Sequence, residues 1–516
     1  MLFRSGVVMA GFVLSNLVGL LRQILVSNAF GTSLEMDAFN AASTYPDLIF
    51  MLVAGGALAS AFVPALTGFL ARDDRRGGWF LSSAIINWVL LILSILSLVS
   101  ALFAPQIVQY ILAPKYSPEQ QVLTAHLLRI LLIAPTIFGV SGLFMGILNA
   151  HQVFLWSAFA PAMLWLGMII GVLFFAPTLG ISGLAWGYVL GAVLHLVIQI
   201  PGVIRLPERK YFRSFGLGFP AVREVGRLMG PRLLGVAAVQ VNFVINTILA
   251  TGMAVIGSLS SLKYAWAIMT MPQVVIAQSI AIAALPTFSA QAARGKLTDM
   301  RYALAATMRG VILLSIPATV GLILLREPVI GMLFQRGAFT ANSTELVSWA
   351  LLWYTVGLLG HGVVEILSRA FYALHDTKTP VMVSVCAMSL NVVFSLAFSV
   401  LFERINWLPF GGLALANSLA TAIEMICLWI LMRRRLGGLE GRFVWDGFLK
   451  SSIASITMGL VIWGWLSLTQ GQPDWLIAVM GVVLGGAIYG FVMVLLRVEE
   501  TVAIRHYLRG KIHWLG

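Results

Sequence analysis

Residues 181–193, ISGLAWGYVLGAV, lie over residues 410–422, FGGLALANSLATA, at a constant offset of 229. Gly183-Leu184-Ala185-Trp186-Gly187 thus recurs as Gly412-Leu413-Ala414-Leu415-Ala416. Two further pairs keep the same order. Phe62-Val63-Pro64-Ala65-Leu66-Thr67 resembles Ala284-Leu285-Pro286-Thr287-Phe288-Ser289 at an offset of 222, and His151-Gln152 precedes His375-Asp376 by 224. A single match among abundant Gly, Leu and Ala would be chance. Three in order, at nearly one spacing, point to two lobes built on one plan.

Each matched string sits in or beside an apolar run of spanning length. A helix needs about 20 mostly apolar residues to cross a bilayer, and that ruler finds fourteen runs: 6–27, 45–70, 79–104, 123–149, 154–176, 181–204, 227–251, 260–288, 303–325, 344–368, 380–402, 411–432, 448–469 and 475–496. The expected fold is an all-α polytopic membrane protein. Residues 1–205 form an N-lobe of six helices, 206–226 a cytoplasmic linker, 227–435 a C-lobe of six, and 436–516 the last two helices with a tail. An offset of six spans leaves both lobes in the same orientation, a parallel repeat suited to alternating access.

Composition agrees. The 516 residues are 59% hydrophobic and 10% charged, with mean hydropathy +0.94. A soluble domain carries about 25% charge, so this chain needs lipid as a second solvent. The net charge of +13 reads as loop charge that sets orientation, not as a nucleic-acid surface. Alternate connections and the tail hold 21 Lys and Arg, with the largest group at Arg205, Arg209, Lys210, Arg213, Arg223 and Arg227; the opposite connections hold only Lys115, Arg326, Arg336 and Arg404. Both termini are therefore expected in the cytoplasm. No cleavable signal peptide is evident. Cys386 and Cys427 lie in apolar stretches and read as small buried hydrophobes.

Charges inside spans are costly and mark function by default. Arg22 ends the first span, Lys263 opens the eighth and Arg232 follows Pro231 in the seventh. Each could be an anion ligand or an interfacial anchor. Glu365 stands one turn before Arg369, the spacing of an ion pair. Glu424 is the most deeply placed carboxylate, His195 its counterpart at the 229 offset, and both glutamates are candidate coupling residues. Asp37 and Asp47 flank a polar stretch where aspartate usually caps a helix. Pro46, Pro161 and Pro272 interrupt spans and supply bending points. There is no P-loop, no HExxH, no Cys/His cluster and no paired-aspartate motif. No catalytic or metal residue is assigned, and no cofactor is expected. Transport without covalent chemistry is favoured over a membrane enzyme acting on polyprenyl phosphates; a drug or metabolite antiporter is a second transport reading, which would need a coupling carboxylate such as Glu424 or Glu365.

Several long strings resemble the MurJ (MviN) family of lipid II flippases: AFGTSLEMDAFNAASTYPDL (29–48), GALASAFVPAL (56–66), SAFAPAML (157–164), MGPRLLGVAAVQVNFVINTILAT (229–251), MLFQRGAFTA (332–341) and AFYALHDTKTPV (370–381). The resemblance runs over essentially the whole chain. It implies the fold of the MOP exporter superfamily and a polyprenyl-pyrophosphate-linked peptidoglycan precursor, carried headgroup-first across the inner membrane. It also implies a tail groove at the last two helices, coupling to membrane potential or a cation gradient, and cell-wall synthesis machinery as partners. An exporter of another polyprenyl-linked oligosaccharide or amphiphile is the alternative. In the first helix the family's Ser-Arg-x2-Gly-x2-Arg-Asp stands here as Ser15, Asn16, Gly19, Arg22 and Gln23. The arginine pair after the second-helix proline is Phe50 and Met51, the glutamate before Gly-Ala is Gly55 or Gly56, and the eighth-helix Ala-Asp-Arg is Ala265-Trp266-Ala267. Arg22, Asp37 and the Pro161 context remain. Lys263, one turn before Ala267, is placed to supply the missing cation.

Overall fold

A computed structural model describes residues 2–53 and 57–500, with the side chains of 2–10, 12, 53–60 and 230–239 outside the description. Among the described residues there is no strand. In chain order the helices are α1 (Leu2–Phe30), α2 (Leu34–Val53), α3 (Ala57–Ala71), α4 (Arg75–Leu102), α5 (Pro118–Leu131), α6 (Ala134–Ala150), α7 (Phe154–Ile170), α8 (Ile181–Val197), α9 (Pro220–Thr251) and α10 (Ser258–Gln273). There follow α11 (Ser279–Ala293), α12 (Leu297–Leu324), α13 (Arg326–Phe334), α14 (Ala341–Val356), α15 (Leu358–Ala373), α16 (Lys378–Arg404), α17 (Phe410–Arg435), α18 (Gly441–Leu468) and α19 (Asp474–Leu495).

Eleven spans among the described residues are long and apolar enough to cross a bilayer, and α14 with α15, bent by 45°, makes a twelfth. The expected count of fourteen is not reached: α2 with α3, where the second span is expected, and α9, where the seventh is, do not meet that test among the described residues. The second begins earlier than hydropathy suggested, because α2 opens on a polar run that protein, not lipid, covers. Asn40 donates to Ser260 Oγ at 3.0 Å, and Thr44 lies 3.4 Å from Thr247 Oγ1.

The helices divide into two compact units: residues up to Ser260 together with Arg336–Phe339, and the remainder from Ser261 on. In the first unit α1 and α8 pack on α7, α6 on α4, and α9 on α2 and α3. In the second, α16 packs on α17, α12 on α15 and α18, and α18 on α19. Each unit has its own apolar core, Leu81, Leu128 and Leu143 in one and Met308, Ile366 and Phe371 in the other. The surface is apolar too. Leu98, Phe174, Leu460 and Val482 are exposed, as lipid-facing residues must be. The cysteines belong to this pattern and correct the sequence expectation: Cys386 is exposed and Cys427 half-buried, since an apolar solvent removes the reason to hide them.

Within the spans, hydroxyls turn back on their own helices, as with Ser82 to the Gly78 carbonyl at 2.8 Å and Thr355 to Leu351 at 2.6 Å. This satisfies them where no water is available. The α7–α8 seam is made by glycine. A Cβ on Gly187 would stand 2.7 Å from Gly171 Cα and 3.0 Å from the Gly167 carbonyl, so the two backbones touch where the quoted repeat begins.

The repeat is visible in the element order. α4 and α12 start 222 residues apart, α7 and α16 start 224 apart, and α8 and α17 start 229 apart. Left-handed residues close equivalent turns, Asp73 (φ 55°) with Gly295 (φ 68°) and Gln152 (φ 60°) with His375 (φ 57°). The recurring histidine strings therefore mark helix ends, where a left-handed residue satisfies the last carbonyls.

Candidate functional site

In the first unit the retained arginine sits in a small built constellation. Gly19 faces Trp165 of α7, and a Cβ there would be 3.3 Å from the indole Nε1. The missing side chain lets the indole lie against α1. One turn on, the Arg22 guanidinium stacks 4.6 Å from the centroid of that indole and donates through Nη2 to Gln23 Oε1. Gln23 is buried. Stacking engages the π face of the guanidinium and leaves its N–H edge in plane, the edge that meets carboxylate or phosphate. Asn16, three residues before Gly19, is exposed on the same helix. Sequence reasoning found Arg22 and missed Trp165, whose signal is one aromatic in an apolar span four residues after Pro161.

Asp37 does cap a helix, but not its own. It lies in the first turn of α2 and its carboxylate reaches α10. Gly257 N donates to Oδ2 at 2.8 Å, Ser260 N to Oδ1 at 2.8 Å, and Ser260 Oγ to Oδ1 at 2.5 Å. An acidic group at a helix start suits the helix dipole. Beside it the Arg336–Phe339 loop closes on the end of α1, with Ala338 N donating to the Asn28 carbonyl at 2.8 Å. Gly31 (φ 55°) and Gly337 (φ 56°) make that approach possible: a Cβ on either would collide with Ala338 or Asn28. Strings 29–48 and 332–341 thus meet in one joint. Asp37→Ala strands two buried amide donors and is expected to cost about 2–3 kcal/mol, read as a lower Tm of the purified chain. Asp37→Asn, which keeps one acceptor, should fall between.

Asp47, also expected as a cap, sits mid-helix in α2 and accepts from Tyr188 O–H at 2.7 Å. Pro46 is buried in α2, Pro161 is exposed within α7, and Pro272 is half-buried just before the π-helical turn Val274–Gln278. Arg232 lies in α9, with its side chain outside the described residues.

In the second unit Lys263 is exposed on α10. Trp266, standing where the resembled family has aspartate, packs edge-on against Tyr354 and His361, and His361 Nε2 is 3.1 Å from Asn417 Oδ1. Glu365 pairs with Arg369 at 2.6 Å. Glu424 is buried and accepts from Ser384 Oγ. No cluster of metal-ligating residues occurs among the described residues.

Two polar centres go beyond the sequence reading, which set His195 opposite Glu424 in the repeat but gave it no partners and did not single out Arg309. His195 Nδ1 is 2.6 Å from Ser141 Oγ, and Gln199 Nε2 donates to Ser141 Oγ at 2.7 Å and to the His195 carbonyl at 2.9 Å. The second centre is Arg309 on α12, 1% exposed, bonded to groups on α18 and beyond α19. Nothing near it in sequence hints at its partners. A lone arginine within a span does require carboxylates from elsewhere.

The family described as lipid II flippase MurJ matches residues 26–484. The lipid II flippase MurJ of Burkholderia cenocepacia is 28% identical over 484 residues, covering 92% of this chain and 91% of that one. A probable lipid II flippase MurJ of Vibrio cholerae is 28% identical over 482 residues, covering 90% and 89%. Among solved structures, lipid II flippase MurJ in an inward closed conformation superposes with a TM-score of 0.80 at 25% identity, covering 95% of this chain and 98% of that one. An inward-facing multidrug resistance MATE transporter of the MOP superfamily shares the fold, with a TM-score of 0.69 at 16% identity.

Proposed function

The chain belongs to the lipid II flippase MurJ family, and on that premise we propose that it moves lipid II from the cytoplasmic to the periplasmic leaflet of the bacterial inner membrane. It is a multi-pass membrane transporter, not an enzyme. The observation that carries the reading is the family match over residues 26–484.

Arg22 on Trp165 is the proposed pyrophosphate ligand of the first unit, with Lys263 its counterpart in the second. A pyrophosphate leaving water needs fixed cations and donors in place of its hydration. Of the two candidate coupling carboxylates, Glu365 is neutralised by Arg369, so Glu424 is the group proposed to answer a cation gradient or membrane potential. Termini on the cytoplasmic side fit the loop charges, and partners in cell-wall synthesis follow from such a substrate.

Expression in a bacterium depleted of its own flippase is expected to restore growth, and purified chain in liposomes to move labelled lipid II between leaflets. A membrane-inserted chain that does neither would overturn the assignment.

A further inference from the structure

The connection after α8 is not a slack linker. Four side chains of α4 hold its backbone: Trp79 Nε1 donates to the Pro207 carbonyl at 3.3 Å, Ser83 Oγ accepts from Phe212 N at 3.1 Å, Asn87 Nδ2 donates to the Phe212 and Ser214 carbonyls at 3.1 and 2.8 Å, and Trp88 Nε1 to Phe215 at 2.9 Å. Residues 79, 83 and 87 are spaced by four, one face of the helix. Phe212 and Phe219 pack their rings on Phe80.

Between this strap and the helix ends lies a cavity of about 340 Å³. It is lined by Trp79, Ile86, Phe144, Ile147 and Val203, and by Arg209 and Lys210, which are both exposed. The nearby carboxylates are already engaged. Glu208 pairs with Arg75 at 3.3 Å, Asp73 pairs with Arg75 at 3.1 Å, and Asp74 caps Gly77 N. Among the described residues neither Arg209 nor Lys210 makes an ion pair. The same segment exposes Ile204, Tyr211 and Leu217, apolar groups interleaved with cations, which is the character of a segment lying in a membrane interface.

An apolar cavity with a cationic rim, opening at such an interface, matches an anion that carries a hydrocarbon chain. We propose that this cavity binds an anionic phospholipid, its acyl chain inside and its phosphate on Arg209 and Lys210, so that the strap is held on α4 by lipid as well as by hydrogen bonds. The site lies within the first unit and uses none of the residues proposed to hold the transported lipid.

The test uses the purified full chain, delipidated in detergent and titrated with phosphatidylglycerol or phosphatidylcholine of matched chains, with binding read by native mass spectrometry. Each cation near an anionic headgroup is worth roughly fivefold, so Arg209→Ala with Lys210→Ala should lower phosphatidylglycerol affinity by about 25-fold and abolish the preference. Val203→Trp, which fills the cavity, should weaken both lipids. Arg433→Ala with Arg434→Ala, an exposed basic pair elsewhere, should change nothing. Equal binding of the two lipids, a preference that survives the first double variant, loss of it in the second, or displacement of the lipid by glycerol phosphate would each overturn the proposal.

Discussion

Replacing Arg309 with alanine is expected to loosen the last two helices from the body of the second unit. The guanidinium is enclosed by α18 and by the chain beyond α19. Nη1 donates to the Phe443 carbonyl at 2.8 Å and to Asp446 Oδ2 at 3.3 Å, Nε pairs with Glu500 Oε1 at 2.7 Å, and the group lies 4.2 Å from the Phe443 ring centroid. Breaking a buried ion pair by removing one partner costs about 3–5 kcal/mol. Here the surviving Asp446 and Glu500 side chains are 44% and 35% exposed, and Lys450 still pairs with Asp446 at 3.0 Å. The expectation is therefore the lower end, about 3 kcal/mol. It should appear as faster amide exchange confined to residues 441–500, with the α4–α8 region unchanged. Arg309→Lys keeps the charge but not the fork and should recover part of the loss. Exchange that rises equally in both units would contradict the assigned role.

The position is informative because the repeat supplies its own control. Arg309 is Asn87 plus 222, and Phe443 is Ser214 plus 229. In each unit the third helix of the repeat reaches the carbonyls of the chain leaving the sixth. Where that chain becomes a strap, a neutral amide suffices. Where it becomes a helix bearing Asp446, with Glu500 close by, the same position carries a cation.

Such partnerships set the limit of what could be read from sequence. The spans were legible because lipid imposes a continuous apolar run, and the lobes because two halves kept one offset. Glu365 and Arg369 were legible as a pair because they share a helix turn. Asp37 and Ser260 are 223 residues apart, and Arg309 and Glu500 are 191 apart. No local pattern links them. The start of α2 was missed for a related reason: Asn40 and Thr44 look too polar for a membrane until α9 and α10 are known to cover them. Trp165 carries no signal of its own among the aromatics of its span, and only the notch at Gly19 reveals its purpose.

That notch carries the second large effect. Arg22→Ala should reduce lipid II flipping severely, because a charge-assisted hydrogen bond to phosphate is worth about 1.5–3 kcal/mol, roughly tenfold to a hundredfold in affinity for the headgroup. Arg22→Lys restores a point charge without the planar fork and should recover only part. Charge alone is not the whole of the expectation. Gly19→Val leaves Arg22 intact, yet its side chain must displace an indole already 3.3 Å from the Cβ position, so the guanidinium loses its platform. A stacked cation gains about 0.5–2 kcal/mol, and Gly19→Val and Trp165→Ala should each weaken substrate binding severalfold, with Trp165→Phe close to wild type. Flipping rates in proteoliposomes across a range of lipid II concentrations separate these effects. If Arg22→Ala fails while Gly19→Val and Trp165→Ala transport normally, the cation acts without its platform. If Arg22→Ala itself transports normally, the pyrophosphate is held by other groups and the site assigned to the first unit is wrong.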